Sequence, residues 1–282
     1  MGHKIGKLTT FLVLFIGMIG CDYFEMRGFL LSYETADERF EQSMTWNNDH
    51  PFKVINVTND HYILYVMGDS HLGTANNLNK FFHAAKNEQA IAAVMVGDLS
   101  TGSVENYEFL EQNIPHPDSL RTFLLVGNHD LYFDGWKQFY QRFGSGVYYF
   151  TVHTPAAKDL YICLDSGGGT LGEKQLKWFK ALLEEHRDEY RFCVVFSHVN
   201  IFRIRNTLST NPYPGEVLTL SHLCAENNVT MVFNGHDHLK NVESFGPTTF
   251  ITMDALQDDL EITGYSKLMC NTGMLTFENV NF

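Results

Sequence analysis

Five apolar runs in this chain end in the same way. "YILYVM" (62–67) leads into Gly68-Asp69-Ser70-His71, "IAAVMV" (91–96) into Gly97-Asp98, and "TFLLV" (122–126) into Gly127-Asn128-His129-Asp130. "FCVVF" (192–196) leads into Ser197-His198, and "VTMVF" (229–233) into Asn234-Gly235-His236-Asp237-His238. Uninterrupted runs of this kind read as strands covered on both faces. Strands of that type need a layer on each side, which points to α/β architecture. "LYICL" (160–164) fits the same pattern, and "TTFITM" and "MLTFENV" read as strands that complete a sheet near the C-terminus.

Helical patterns lie between several of the runs. In "NNLNKFFHAAKN", Leu78, Phe81, Phe82 and Ala85 fall at i, i+3, i+4 and i+7, and Leu176, Phe179 and Leu183 make a similar stripe in "EKQLKWFKALLEEH". With 282 residues, 44% of them hydrophobic, the chain can bury a substantial core. Residues 52–282 read as one folded domain. Residues 21–51 form a lead-in, where "SYETADERFEQSMTWNN" predicts a packing helix.

Residues 1–20 read as an export signal. Lys4 and Lys7 precede the apolar stretch "FLVLFIGMIG", which is too short for a comfortable membrane span. The sequence "MIGC" resembles the lipobox of bacterial lipoproteins. That resemblance implies cleavage before Cys21, a lipid on its sulfur, and a protein anchored to a membrane of the bacterial cell envelope. The net charge is −13, and a processed chain without Lys4 and Lys7 is more negative still. So acidic a chain repels polyanions, which argues against nucleic acid as its main partner. Cys163 and Cys193 lie inside apolar runs and read as buried thiols; no cysteine pair has the spacing of a zinc site. The sequence carries no signal for an oligomer.

The strings after the strands carry the chemistry. In an open α/β sheet the C-terminal strand ends converge on one crevice, so these strings bring Asp, Asn and His side chains together. Five of the thirteen histidines sit in them, more than packing explains. Gly68, Gly97, Gly127 and Gly235 are expected to turn the backbone sharply and swing the following side chain over the sheet end. Asp69, Asp98 and Asn128 could each instead cap a following helix, but the accompanying histidines favour ligation. Carboxylates mixed with imidazoles suit zinc, manganese or iron. The donors are too numerous for one tetrahedral ion, so two ions are expected, bridged by a carboxylate such as Asp98.

The ordered set Asp69-x-His71, Gly97-Asp98, Gly127-Asn128-His129-Asp130, His198 and Gly235-His236-x-His238 resembles the calcineurin-like metallophosphoesterase superfamily over residues 60–240, most of the folded chain. The resemblance implies a four-layer α/β/β/α sandwich with two divalent or trivalent ions, Mn, Fe or Zn. One ion takes Asp69, His71, Asp98 and His238, and the other Asp98, Asn128, His198 and His236. It further implies that a hydroxide bridging the ions attacks phosphorus in line on a small phosphomonoester or phosphodiester. His129 then stabilises the phosphoryl oxygens or protonates the leaving group. Two residues apart on an extended segment, His236 and His238 would both face the ions, with Asp237 turned away.

One position departs from the family pattern. Many members carry an acidic residue three positions after the bridging aspartate, where it orients the catalytic histidine; this chain has Thr101. Asp130 or a backbone carbonyl is the expected substitute partner for His129. Arg203 and Arg205, in the segment after His198, are candidates to grip a substrate phosphate. Two other functions remain open: a non-catalytic scaffold of the same fold, which retention of His129 opposes, and a metal-dependent nuclease, which the charge opposes.

Overall fold

The computed structural model describes residues 33–51, 53–203 and 210–282. The apolar runs form strands in two separate sheets. The five-stranded sheet has the order β12-β11-β2-β3-β4, built from β2 (His61–Met67), β3 (Ala92–Val96), β4 (Thr122–Leu125), β11 (Gly264–Asn271) and β12 (Met274–Asn281). The seven-stranded sheet has the order β1-β5-β6-β7-β8-β10-β9. Its strands are β1 (Lys53–Asn56), β5 (Tyr148–His153), β6 (Lys158–Leu164), β7 (Cys193–Ser197), β8 (Met231–Asn234), β9 (Asn241–Phe245) and β10 (Thr248–Thr252). β2, β3 and β4 run parallel, as do β6, β7, β8 and β10. The two C-terminal runs thus complete different sheets: "TTFITM" joins the larger as β10 and "MLTFENV" the smaller as β12.

Continuous apolar sequence matters because each central strand touches two cores. On β2, Tyr62, Leu64 and Val66 face the other sheet, meeting Tyr161 and Cys163 of β6 and Val194 and Phe196 of β7. The alternate residues Tyr65 and Met67 pack with Leu78, Phe81, Phe82 and Ala85 of helix α2 (Asn76–Asn87). Helices α3 (Val104–Asn113) and α4 (Gly135–Phe143) add Tyr107, Leu110, Trp136 and Phe139 to the same layer. On the far side, Ile162 and Val195 pack with Phe179 and Leu183 of α5 (Gly172–His186) and with Leu223 and Cys224 of α6 (Pro214–Glu226). Three cores between four layers give the α/β/β/α sandwich. Cys163, Cys193, Cys224 and Cys270 are buried free thiols, and burial pushes the first three well above their usual range.

The lead-in helix is α1 (Ala36–Asp49), opened by a capping box in which Thr35 and Glu38 satisfy each other's backbone N–H groups. It is bound closely to the domain. Arg39 makes a buried two-pronged contact with Asp165 at 2.7 and 3.2 Å. Asn47 Nδ2 donates to the Val147 carbonyl, Gln42 accepts from the Trp136 indole, and Asp37 accepts from the Lys174 N–H in the first turn of α5. No helix among the described residues is long and apolar enough to cross a membrane; the export signal and Cys21 lie outside the described residues.

Candidate metal centre

The five polar strings meet where the two sheets face each other. Asp69, His71, Asp98, Asn128 and His129 follow β2, β3 and β4 of the smaller sheet, whereas His198, His236 and His238 follow β7 and β8 of the larger. The crevice is therefore a seam between two sheets. Backbone bonds join the turns on each side, Asp69 N–H to Gly97 and His71 N–H to Asp98 on one and Gly235 N–H to His198 on the other. Across the seam, the His236 N–H donates to the Asp69 carboxylate and His198 Nδ1 to the Val96 carbonyl. The side chains of Asp69, Asp98 and Asn128 cap no described helix; Asn128 precedes a short 3-10 turn (His129–Asp134), but its side chain makes no capping bond there. Ser103 caps α3, and Asp258, from the loop before β11, accepts from the N–H groups of Asn76 and Asn77 in α2.

The turns are made differently from the sequence expectation. Of the four glycines, Gly97 has a positive φ. The polar residues themselves adopt the left-handed conformation: Asp69 (55°), His71 (39°), Asp98 (50°), His236 (74°) and His238 (53°). His236 and His238 therefore do not face the crevice by alternating along an extended segment, because two left-handed residues bend that segment. Gly127 and Gly235 are needed for closeness, since a Cβ would strike Asp98 at the first and the Asp69 carboxylate at the second. Left-handed non-glycine residues cost about 1–3 kcal/mol each and collect where function requires a particular aim.

The donor atoms fall into two sets. Asp69, His71, Asp98 and His238 form one, and Asp98, His198 and His236 the other, each with its ligand atoms within 4.8 Å of one another. Asp98 belongs to both. Asn128 Oδ1 lies 3.2 Å from His198 Nε2, beside the second set.

The chemistry of these atoms fits cations. His198 Nδ1 must donate to the Val96 carbonyl at 2.9 Å, since a carbonyl only accepts. In the neutral ring Nε2 then carries a lone pair, yet it faces Asn128 Oδ1 at 3.2 Å and Asp98 Oδ2 at 3.3 Å. Three electron-rich atoms converge with no hydrogen among them unless His198 is protonated. His71 and His238 turn Nε2 atoms toward each other at 3.1 Å, where one ring's N–H can donate to the other, and Asp69 Oδ1 lies 3.2 Å from His238 Nε2. The fields agree. Burial opposes the His198 imidazolium, but Asp98 and Asp69 outweigh it and raise it to about 9. Burial alone would raise the Asp98 carboxyl, yet His198 and His129 hold it well below the carboxylate range. Burial lowers His71 to about 4 and His236 to about 3, which keeps both rings neutral and able to ligate.

His129 stands at the edge of the cluster. Its N–H donates to Asp98 Oδ1 at 2.7 Å, and its ring lies edge-on to His71 with centroids 4.5 Å apart. Asp130, the expected substitute for the missing acid, is turned elsewhere: its buried carboxylate accepts from the N–H groups of Leu99, Ser100 and Gly127 and from Ser100 Oγ. It braces the turns that carry Asp98 and Asn128. Thr101 Oγ1 accepts from Asn106.

Arg203 also departs from its expected use. Its Nε pairs with the buried Asp237 carboxylate at 2.8 Å, and Nη1 donates to the Thr210 carbonyl at 3.0 Å and to Asn211 at 2.9 Å. Asp237 does turn away from the donors, as its place between His236 and His238 suggested, and it also accepts from Asn200. Arg205 lies outside the described residues.

A family model described as calcineurin-like phosphoesterase matches residues 63–240. No curated protein matches the sequence. Among solved structures, GAP50, described as the anchor in the inner membrane complex of Plasmodium, is 14% identical with a TM-score of 0.61, over 79% of this chain and 85% of that one. A dimetal phosphatase from Danio rerio is 13% identical with a TM-score of 0.57, over 78% and 98%. A putative 5'-nucleotidase from Staphylococcus aureus is 15% identical with a TM-score of 0.51, over 77% of this chain and 53% of that one. At these identities the likeness is one of fold.

Proposed function

Because the chain belongs to the calcineurin-like phosphoesterase family, we propose that it hydrolyses a small phosphomonoester or phosphodiester at this crevice with two metal ions. The observation that carries the reading is the convergence of lone pairs from His198, Asn128 and Asp98 beside a second donor set that shares Asp98. Held there, the ions would supply Lewis acidity to the phosphoryl oxygens and make hydroxide accessible near neutral pH. The chain's own residues do the rest. Asp98 links the two sets and fixes the backbone of His129. His129, its side chain 22% exposed at the edge of the cluster, is placed to donate a proton to a departing oxygen or to balance charge on the phosphoryl group. Asp98 Oδ2 lies 4.0 Å from His129 Nε2, and with Thr101 where many members carry an acidic residue, substrates with good leaving groups are favoured.

The test is hydrolysis of p-nitrophenyl phosphate and bis-p-nitrophenyl phosphate by the Mn²⁺-loaded protein and its His129→Ala variant. Turnover that falls about 10²–10⁴-fold in the variant, with metal content unchanged, is expected. A wild-type protein that binds two ions and cleaves neither ester would instead be a scaffold of this fold. We further propose export and lipid anchoring through Cys21, supported by the basic start, the apolar stretch and "MIGC". Incorporation of labelled palmitate that disappears in Cys21→Ala tests it.

A further inference from the structure

Arg203 joins two elements that meet at a metal-facing histidine. Its Nε pairs with Asp237 Oδ1 at 2.8 Å, and Asp237 is the middle residue of His236-Asp237-His238. Its Nη1 donates to the Thr210 carbonyl at 3.0 Å. That carbonyl also takes His236 Nε2 at 2.9 Å. A carbonyl cannot donate, so His236 carries its hydrogen on Nε2 and presents the lone pair of Nδ1. Asn200 Nδ2 steadies the far side of Asp237 at 3.0 Å and also donates to the Phe202 carbonyl, next to Arg203. Asp237 and Asn200 are fully buried.

We propose that Arg203 is a positioning residue for His236. By fixing the Thr210 carbonyl relative to Asp237, it selects the ring orientation and tautomer of His236 and so sets the strength of the Asp98–His198–His236 cation site, without gripping substrate. The inference rests on the dinuclear reading above. A planar guanidinium serves two acceptors in a fixed spatial relation, whereas a lysine ammonium on a flexible stem does not. Partners of metal-ligating histidines typically contribute 10–100-fold in metal affinity.

The test compares wild type with Arg203→Lys, which keeps a positive charge near Asp237 but loses the fork. Metal-free proteins are titrated with Mn²⁺ by calorimetry, and ring ¹⁵N shifts are recorded on histidine-labelled samples. Wild type is expected to bind two Mn²⁺ and to show His236 protonated at Nε2. The variant should bind one Mn²⁺ normally and the second about 10–100-fold more weakly, with mixed His236 tautomers. The KM for p-nitrophenyl phosphate at saturating Mn²⁺ should stay unchanged. Unaltered binding of both ions in the variant overturns the proposal, most pointedly if KM rises, because Arg203 would then grip substrate. If Arg203→Lys does not fold, the wild-type tautomer decides alone: a hydrogen on Nδ1 refutes the arrangement. A wild type that binds no metal at all sinks the dinuclear reading, a different failure from two ions held equally by both proteins.

Discussion

Two buried polar clusters lie at opposite ends of the sheet-to-sheet core, and they are built on opposite terms. At the end where β2 and β6 begin, Arg191 grips Asp159 at 2.9 and 2.5 Å, the Tyr62 hydroxyl reaches Asp159 at 2.7 Å, and the Tyr161 hydroxyl lies 2.6 Å from that of Tyr62. One carboxylate meets one guanidinium, and none of these residues has a positive φ. At the other end, Asp69 and Asp98 face four imidazoles, lone pairs converge, and five residues are left-handed. Both clusters tie the sheets together. The first is complete within the protein, whereas the second gathers a set of donors that suits added positive charge. Burial of polar groups alone does not mark a functional site; the unmet demand for charge does.

Substitutions should separate the clusters cleanly. The largest effect is expected at Asp98, which belongs to both donor sets: Asp98→Ala should lower phosphoesterase activity on the order of 10³-fold or more and reduce bound metal, read by elemental analysis. In the other cluster, Arg191→Ala leaves Asp159 buried without its ion partner. It should destabilise the protein by about 3 kcal/mol in denaturant unfolding, with kcat of the folded protein unchanged. A fall in kcat at constant metal content would show that the two ends are coupled. Tyr62→Phe at the same end removes one hydroxyl and should cost about 1 kcal/mol by the same measurement, again without loss of activity.

A smaller effect is expected from pH on the metal-free protein. His71 and His236 titrate at about 4 and 3 when folded but near 6.5 when unfolded, so the unfolded chain takes up more protons below that pH and stability falls as the solution is acidified. His198, raised to about 9, works the other way: its contribution is present below about 6.5 and is lost as pH rises toward 9. Melting temperature without metal should therefore peak near pH 6.5, and saturating Mn²⁺ should flatten the profile. A monotonic profile in the metal-free protein would remove the opposed histidines from the account.

What the sequence made legible follows from how local each signal is. The central strands are buried on both faces, so their apolar runs announce them, and the helix at 76–87 shows its stripe directly. β1 and β9 lie at sheet edges with largely exposed side chains, and "KVIN" and "NVESF" carry little pattern. α3 buries Tyr107 and Leu110 with little else, too few for a stripe. Donor identity is local, because each string follows its own strand. The partition between two sheets is not, because pairings such as β1 with β5 and β2 with β11 join distant segments. Nor could spacing foretell that the polar residues rather than the glycines carry most of the left-handed turns. The Arg203–Asp237 contact depends on the path of a loop, so an arginine that looked like a phosphate grip proved to be bonded to the scaffold.

Helix α1 docks at the crevice end of the molecule, with Arg39 on Asp165 just beyond β6 and Asn47 on Val147 just before β5, whose first residue pairs with Cys163 near the end of β6. A lipid at Cys21 would therefore be leashed to the mouth of the seam rather than to its floor. Twelve residue steps separate Cys21 from Tyr33, a reach of at most about 40 Å. An enzyme moored that way would sweep a shallow zone above the bilayer and sample phosphoesters at or near the surface ahead of those in the bulk.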